Sequence, residues 1–555
     1  MAGRIRKIAD WLVGLGDRDI PERVKSRARL QRLSTIAAIS AGSRHSIGRK
    51  MLAGLARWMS PGKCTLLPQG RQVDLLSAVY GNAALSLALD YDDYLFSGHT
   101  GHSAACVSLA VGEQEERPSE EALIAQIIAN EISGRLGAAI VIGPHNGQTW
   151  SPIHLAGAAA AASRLMGLNA EKTAHAMALS LYQPTYVLFP GFMGPDSKAT
   201  TAATPSVTGV QAALLAASGA TGPLDILDHP QGFLKRFSFV DTSFFLSGFG
   251  RAWVTDTLAY KIYPGCAYID TTVDAVLALR DDYEAATGKQ LIPDEVLDVR
   301  VDATLLTVEM DRLSRTGGNF DPLNPVSINF SIPGNVALAL LHGRLTAADL
   351  TEEALRTGAN RLMRLSAKVH LHHDWGLTLD LINALNKSLD LRRAVKHIGW
   401  KPLLAARDRI RQNYGHSIIG LGREDLRQYA ALLLKAGHQL PAAMLKRRAG
   451  VNRPIADHRT YDLGQCSLDQ FTMPFAARVT IHTRNAGRLT RCQTIPRGGP
   501  GRDWQETCRL VEEKLFRETG RGFPPGLMEN QRIEPVHHAP GLSVRDFMKY
   551  GIARE

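Results

Sequence analysis

The run Asp90-Tyr-Asp-Asp-Tyr-Leu-Phe-Ser-Gly-His-Thr-Gly-His102 gathers three carboxylates and two imidazoles within thirteen residues. Placed together, such groups can take a proton from carbon and return it to a leaving group. Two other readings fit the same residues. One is a solvated polar turn. The other is a metal site: Asp90, Asp92, His99 and His102 are all capable ligands, but they match no established ligand spacing, so no metal is expected. Ahead of the run, Leu75, Leu76, Val79, Ala83, Ala84 and Leu87 recur at three- and four-residue spacing and predict a helix with one buried face. Asp90 lies one turn past Leu87, so its carboxylate is expected on the interior side, where it must find partners or change its pKa. Acids at a helix C-terminus also oppose the local dipole. Either nearby histidines and lysines compensate them, or Asp92 and Asp93 turn outward as caps of the following loop.

Residues 1 to about 264 read as almost wholly helical, with helices at 22–40, 72–89, 119–135, 152–167, 170–184 and 204–218. Several are rich in small residues, as in Gly157-Ala-Ala-Ala-Ala-Ala-Ser163, which permits close helix packing. The loops Ser97-Gly-His-Thr-Gly101 and Phe189-Pro-Gly-Phe-Met-Gly-Pro195 allow close approach to a ligand, without phosphate-loop spacing. After Tyr263-Pro-Gly265 the texture changes. Residues 296–303, 327–332, 368–372 and 478–482 alternate like half-buried strands, 334–343 and 349–366 read as helices, and an amphipathic helix covers 504–516. The fold class is therefore mainly α with a smaller α+β domain.

The length of 555 residues calls for two or more domains. The net charge of +11 belongs to one segment: between Arg392 and Arg453 fourteen Lys/Arg face three Asp/Glu, while the remaining chain balances at fifty against fifty. The stretch around it, about 376–470, has helical patterns at Leu381, Ile382, Leu385 and Leu389 and at Leu426, Tyr429, Ala430, Leu433 and Leu434. With Trp400 and Tyr414 it could bind nucleic acid, yet it has no recognition motif, so a nucleic-acid partner is not expected. An amphipathic N-terminus and the absence of any spanning-length apolar stretch predict a soluble, cytoplasmic chain with no membrane partner. Six scattered cysteines without a CxxC pair argue against zinc or a disulfide framework. No cofactor signature appears.

In order along the chain stand Leu89-Asp-Tyr-Asp-Asp93 with His99, Gly157–Ser163, Ser197-Lys198 with Gly209-Val-Gln-Ala-Ala213, and Gly219-Ala-Thr-Gly-Pro-Leu-Asp-Ile-Leu227. These are followed by Lys261-Ile-Tyr-Pro264, Arg478-Val-Thr-Ile-His482, Pro496-Arg-Gly498 and Glu512-Glu-Lys-Leu-Phe516. No single piece is specific, but their order and spacing together resemble the MmgE/PrpD family over nearly the whole chain. The resemblance implies a large all-helical domain (1–264, with a C-terminal return at 504–555), a smaller α+β lid domain (265–503), a cleft between them, and a homodimer. Typical members are shorter, and the excess falls in a basic helical insertion at about 376–470.

The resemblance further implies a lyase that needs neither cofactor nor metal and acts on a small di- or tricarboxylate through a carbanion or enolate. Dehydration of a citrate- or alkylcitrate-like hydroxy acid, as in 2-methylcitrate dehydratase, is the leading reading. Decarboxylation of the cis-aconitate decarboxylase kind, or epimerisation, is the alternative; a non-catalytic member binding a polyanion or partner through the insertion is the third. By resemblance Asp90 and His99 are the acid/base pair, with His102 exchangeable for His99 by a loop shift. Lys198 and Lys261 are the cleft lysines that hold carboxylates or enolate charge. Departures accompany these matches. Tyr94 stands where relatives often carry threonine. Gln148, which cannot shuttle protons at neutral pH, stands in register with a histidine, with His145 and His154 nearby. Cys266 and Asp270 occupy a stretch where relatives carry histidine, and Pro333-Gly334 one where they offer tyrosine. Tyr94, Phe96, Tyr186, Phe189 and Phe192 point either to an apolar substrate tail or to core.

The basic segment is expected to form a solvated face or a partner contact. Binding of random nucleic acid, titrated at low and high salt, should therefore be absent; salt-sensitive binding would assign the segment to polyanions.

Overall fold

In the computed structural model, which describes residues 3–144, 151–316, 321–414, 427, 461–522 and 543–549, the first half of the chain is a stack of helices. Those that position the site are α1 (Glu22–Ser43), α2 (Leu75–Leu87), α3 (Gly101–Gln114), α4 (Ser119–Ile140), α5 (Ile153–Leu165) and α6 (Thr200–Ala217). Small residues set their spacing. The alanine run of α5 is wholly buried between α4 and α6, and a Cβ added at Gly209 of α6 would stand 2.5 Å from the Leu155 carbonyl oxygen and 2.6 Å from Ala158 Cβ.

Helix α2 starts at Asp74, whose carboxylate accepts the Ser77 N–H. Past its end Asp90 adopts φ 53°, a left-handed conformation that aspartate tolerates better than most residues. The turn sends the acid run across the bundle. There Asp93–Tyr94 (β1) pairs antiparallel with Ala259–Tyr260 (β2), and this short ladder delivers Lys261 to the acids.

The α+β domain is built on β3 (Val296–Ala303), β4 (Val369–His373), β5 (Ala477–Thr483) and β6 (Gly487–Gln493), in the order β4-β3-β5-β6. Only the β3–β4 pair is parallel among these described strands. Val299, Val301, Val479 and Ile481 form a core with Val273, Val276 and Leu279 of α7 (Asp270–Thr287) and with α8 (Ile332–His342), separate from the core of the helical domain.

The predicted strand at 327–332 is helical instead. Asn324 caps a turn at Pro325–Ile328, its side-chain oxygen accepting the N–H groups of Val326 and Ser327. Ser331 then caps α8 through the Gly334 N–H, with Pro333 in the first turn. Two capped, proline-led helix starts this close together override the apolar alternation.

The final helix, α9 (Trp504–Thr519), returns to pack along α1. Its Lys514 is fully buried and donates to Tyr91 O at 2.6 Å, Ser34 Oγ at 3.0 Å and Lys261 O at 3.1 Å, three acceptors for three N–H groups. Burial pushes this ammonium down to about 7 despite the opposing pull of Asp92 and Asp93. Nearby, Asp93 accepts from Gln31 Nε2 at 2.7 Å and Thr35 Oγ1 at 3.3 Å; burial, then the neighbouring Asp92, pushes its carboxyl up to about 6.

The two ends of the basic segment that are described sit on the helical core. Leu381, Leu389 and Ala394, from Trp375–Leu389 and Leu391–Ile398, join that core, and the Tyr461 hydroxyl donates to Leu389 O at 2.6 Å. Trp400 is 73% exposed on the next helix, Trp400–Tyr414. The Tyr414 side chain and the predicted helical pattern from Leu426 to Leu434, with Tyr429, lie outside the described residues. Among the described residues no helix is long and apolar enough to cross a membrane.

Gly209→Ala should cost about 1–3 kcal/mol, because the colliding atoms are backbone and an alanine Cβ that cannot rotate away; an unchanged urea midpoint would refute this packing. Asp93 contributes stability that is fully present below the ordinary carboxylate pKa and lost as pH rises through about 6. Stability of Asp93→Asn relative to wild type should therefore rise by on the order of 3 kcal/mol between about pH 4 and pH 7. A difference that does not move with pH would exclude a protonated Asp93.

Candidate active site

Asp90 is 5% exposed and Asp92 and Asp93 are 0% exposed, which removes both the solvated-turn reading and the outward-cap reading of the acid run. Buried carboxylates need cations or donors. Lys198, in the 3-10 turn Asp196–Ala199 that leads into α6, lies 3.4 Å from Asp90 Oδ2. Lys261, just past β2, lies 3.4 Å from Asp90 Oδ1 and 3.1 Å from Asp92 Oδ1, and donates to the Asp90 carbonyl at 2.6 Å. Burial would raise the Asp90 carboxyl, but the two lysines hold it below its ordinary value. Asp92 is held well below it, against the same burial, by His102, Lys261 and His99. Burial lowers Lys198 in spite of Asp90, whereas Asp90 and Asp92 together overcome burial and raise Lys261.

Asp92 Oδ2 is the node of the histidines. His99 Nδ1 donates to it at 2.8 Å, which sets the neutral tautomer in which Nε2 is basic. His102 Nε2 approaches the same oxygen to 3.0 Å without an aligned hydrogen bond, and His102 Nδ1 lies 2.8 Å from Ser86 Oγ. The two rings are stacked, centroids 6.3 Å apart; His99 lines the cavity and His102 stands fully buried behind it.

Asp92, His99 and His102 also bring three ligand-capable atoms within 4.8 Å of one another. An ion there would displace the His99–Asp92 hydrogen bond and adjoin the Lys261 ammonium, 3.1 Å from the other Asp92 oxygen. That donor set suits an acid–base cluster better than a cation.

The cavity encloses about 620 Å³ of empty space, its open mouth included. The helical domain lines it with Asp90, Tyr94, Phe96, His99, Phe192 and Lys198. Later parts of the chain add Cys266, Tyr268, Met310, Phe330, Met473 and Phe475, of which Met473 and Phe475 pack with the helical core. Lys198 Nζ lies 4.0 Å from the Phe330 ring centroid and 5.2 Å from that of Phe192, cation–π contacts that partly replace water. Tyr94 lies between His99 and Phe475, ring centroids 6.0 and 6.3 Å away, and its buried hydroxyl has no hydrogen-bond partner among the described residues.

The remaining candidates are dispersed. Lys261 and His102 support the acids from behind the wall. Asp270 is buried at the start of α7, off the cavity wall, with burial pushing its carboxyl well up and Oδ1 unpartnered among the described residues. Cys266 is on the wall, its thiol pushed up to about 12 by burial. His154 is buried in α5 with Nδ1 2.8 Å from Ser103 Oγ. Gln148 and His145 lie outside the described residues. Pro333 and Gly334 sit at the start of α8, and Tyr186 is exposed, all off the wall. Sequence reasoning missed the apolar wall, which no motif marks, and it missed Lys514, whose only signal was its place in Glu512-Glu-Lys-Leu-Phe516.

The MmgE/PrpD N-terminal domain model matches residues 6–243, and the C-terminal domain model matches residues 263–398. The chain is 26% identical over 301 residues to cis-aconitate decarboxylase of Aspergillus terreus, covering 51% of this chain and 61% of that protein. It is 26% identical over 329 residues to 2-methylcitrate dehydratase of Escherichia coli, covering 56% and 65%. It is 24% identical over 302 residues to the cis-aconitate decarboxylase-like protein oryM of Aspergillus oryzae, covering 50% and 61%. The chain thus spans a little over three-fifths of the length of these relatives. Two domain models in the family's own order, together covering most of the chain, join a helical domain and an α+β domain that meet at a buried acid–histidine–lysine cluster: the chain belongs to the MmgE/PrpD family.

Proposed function

We propose that the chain is a lyase that dehydrates a citrate- or alkylcitrate-like hydroxy acid, with His99 as its acid–base residue, Asp90 orienting Lys198, and Lys198 and Lys261 balancing charge. The observation that carries this reading is the Asp92–His99 hydrogen bond at a cavity wall shared with the Asp90–Lys198 ion pair. His99 Nε2 takes the proton alpha to a substrate carboxylate, the C–H electron pair enters an enolate, and Lys198 stabilises that charge. Asp92 stabilises the imidazolium so formed. The imidazolium returns its proton to the beta hydroxyl, the C–O bond breaks, water departs and a carbon–carbon double bond remains. Asp90 is held ionised by the lysines, so it orients Lys198 and supplies no leaving-group proton, and both transfers fall to His99.

The α+β domain acts as the lid of this cleft, with the helical domain at 1–264 and 504–555 and the lid at 265–503. Decarboxylation is the second reading. It is favoured by the apolar side chains around Lys198, which give a departing carboxylate a poorly hydrated niche.

Proton NMR in deuterated water with citrate, 2-methylcitrate and cis-aconitate should show alpha-proton exchange or a new olefinic signal, and release of carbon dioxide instead of water would select the second reading. His99→Gln should lower kcat about 10²–10⁴-fold with the fold intact. Asp90→Asn should lose turnover and keep substrate binding. Lys198→Ala should raise KM strongly, and unchanged kinetics would remove Lys198 from carboxylate binding.

A further inference from the structure

We infer that the substrate of this site carries an apolar substituent of several carbons, seated against Phe330, Met310, Met473 and Phe475; the inference rests on the lyase reading above. Among the described residues the cavity wall holds one lysine, one aspartate and no arginine. Lys198 already shares its charge with Asp90, and Lys261 is occupied by Asp90 and Asp92 behind the wall. A substrate carboxylate can reach Lys198 and the His99 edge. A further carboxylate turned toward Phe330, Met310, Met473 and Phe475 would meet no cation among the described residues, and an unpaired buried carboxylate is strongly disfavoured.

That wall is assembled from three separate stretches. Met310 comes from the helix Leu305–Thr316, Phe330 from the turn before α8, and Met473 and Phe475 from the extended stretch that enters β5. Phe475 is fixed by rings on both sides, 4.6 Å from Tyr268 and 6.3 Å from Tyr94. The two methionines are unbranched, and such side chains adapt to the shape of an apolar guest. Close to the polar groups Phe330 and Phe192 flank the lysine itself, so polar and apolar recognition meet at Lys198. A carboxylate on Lys198 therefore directs an adjoining alkyl group along the ring faces and onto the methionines.

The test is kcat/KM, by olefin formation or alpha-proton exchange, for citrate, cis-aconitate and 2-alkylcitrates from methyl to pentyl. Wild type should gain about fourfold per methylene until the wall is filled, the ~0.8 kcal/mol of a buried CH₂. Met310→Lys, at a half-buried helical position, should flatten or invert that series. If this variant fails to fold, Met473→Ser should shrink the gain per methylene. Citrate or cis-aconitate handled as well as the longer alkylcitrates, with active enzyme, would overturn the inference and leave the lyase reading standing. Silence from folded protein across the whole panel would overturn both.

Discussion

Three carboxylates within four residues, Asp90, Asp92 and Asp93, are taken out of water, and the rest of the molecule has to make that tolerable. The compensation is drawn from distant parts of the chain. Lys198 comes from the start of α6, Lys261 from the end of β2, and the imidazoles of His99 and His102 from the start of α3. The left-handed turn at Asp90 aims the run inward, the short β1–β2 ladder brings Lys261 alongside, and the return of α9 closes the back. Removing any one cation would leave a buried carboxylate short of its partner, a loss of several kcal/mol rather than the fraction typical of a surface pair.

Compensation also sorts the acids by task. Asp90 and Asp92 are surrounded by cations and stay ionised, while Asp93, bonded to neutral Gln31 and Thr35, is pushed toward protonation. Neighbouring carboxylates whose environments separate their pKa values are a means of keeping one charge pattern fixed while protons move nearby. Here Asp92, held well below the ordinary carboxylate range by His102, Lys261 and His99, is also the one that fixes the tautomer of His99.

Much of this was legible before any coordinates. The spacing from Leu75 to Leu87 placed Asp90 on the interior side, and glycine and alanine runs foretold the tight packing of α5 and α6. Which histidine faces the cavity was not legible, because His99 precedes α3 and His102 lies in its first turn, so the answer depends on where that helix begins. The 327–332 stretch misled because an alternating apolar pattern coincided with two helix caps, and capping decided the outcome. The apolar wall was invisible for a different reason: Met310, Phe330, Met473 and Phe475 become neighbours only through the β3–β5 pairing and the packing of α8. None of the described residues of the basic segment reaches the cavity wall.

Lys514 lies 423 residues beyond Tyr91, whose carbonyl it binds. On the ribosome, the helices bearing the acids are finished while the ammonium that ties Tyr91 to Lys261 has yet to be encoded into chain. Until α9 emerges, the groove along α1 stays open and the Tyr91 and Lys261 carbonyls face solvent instead of Lys514. Assembly of the site is thus a late event in biosynthesis, completed only after the whole α+β domain has been made. A nascent chain that ends before Trp504 holds Asp90, His99, Lys198 and Lys261 and lacks Lys514, so the contacts to the Tyr91 and Lys261 carbonyls wait for α9.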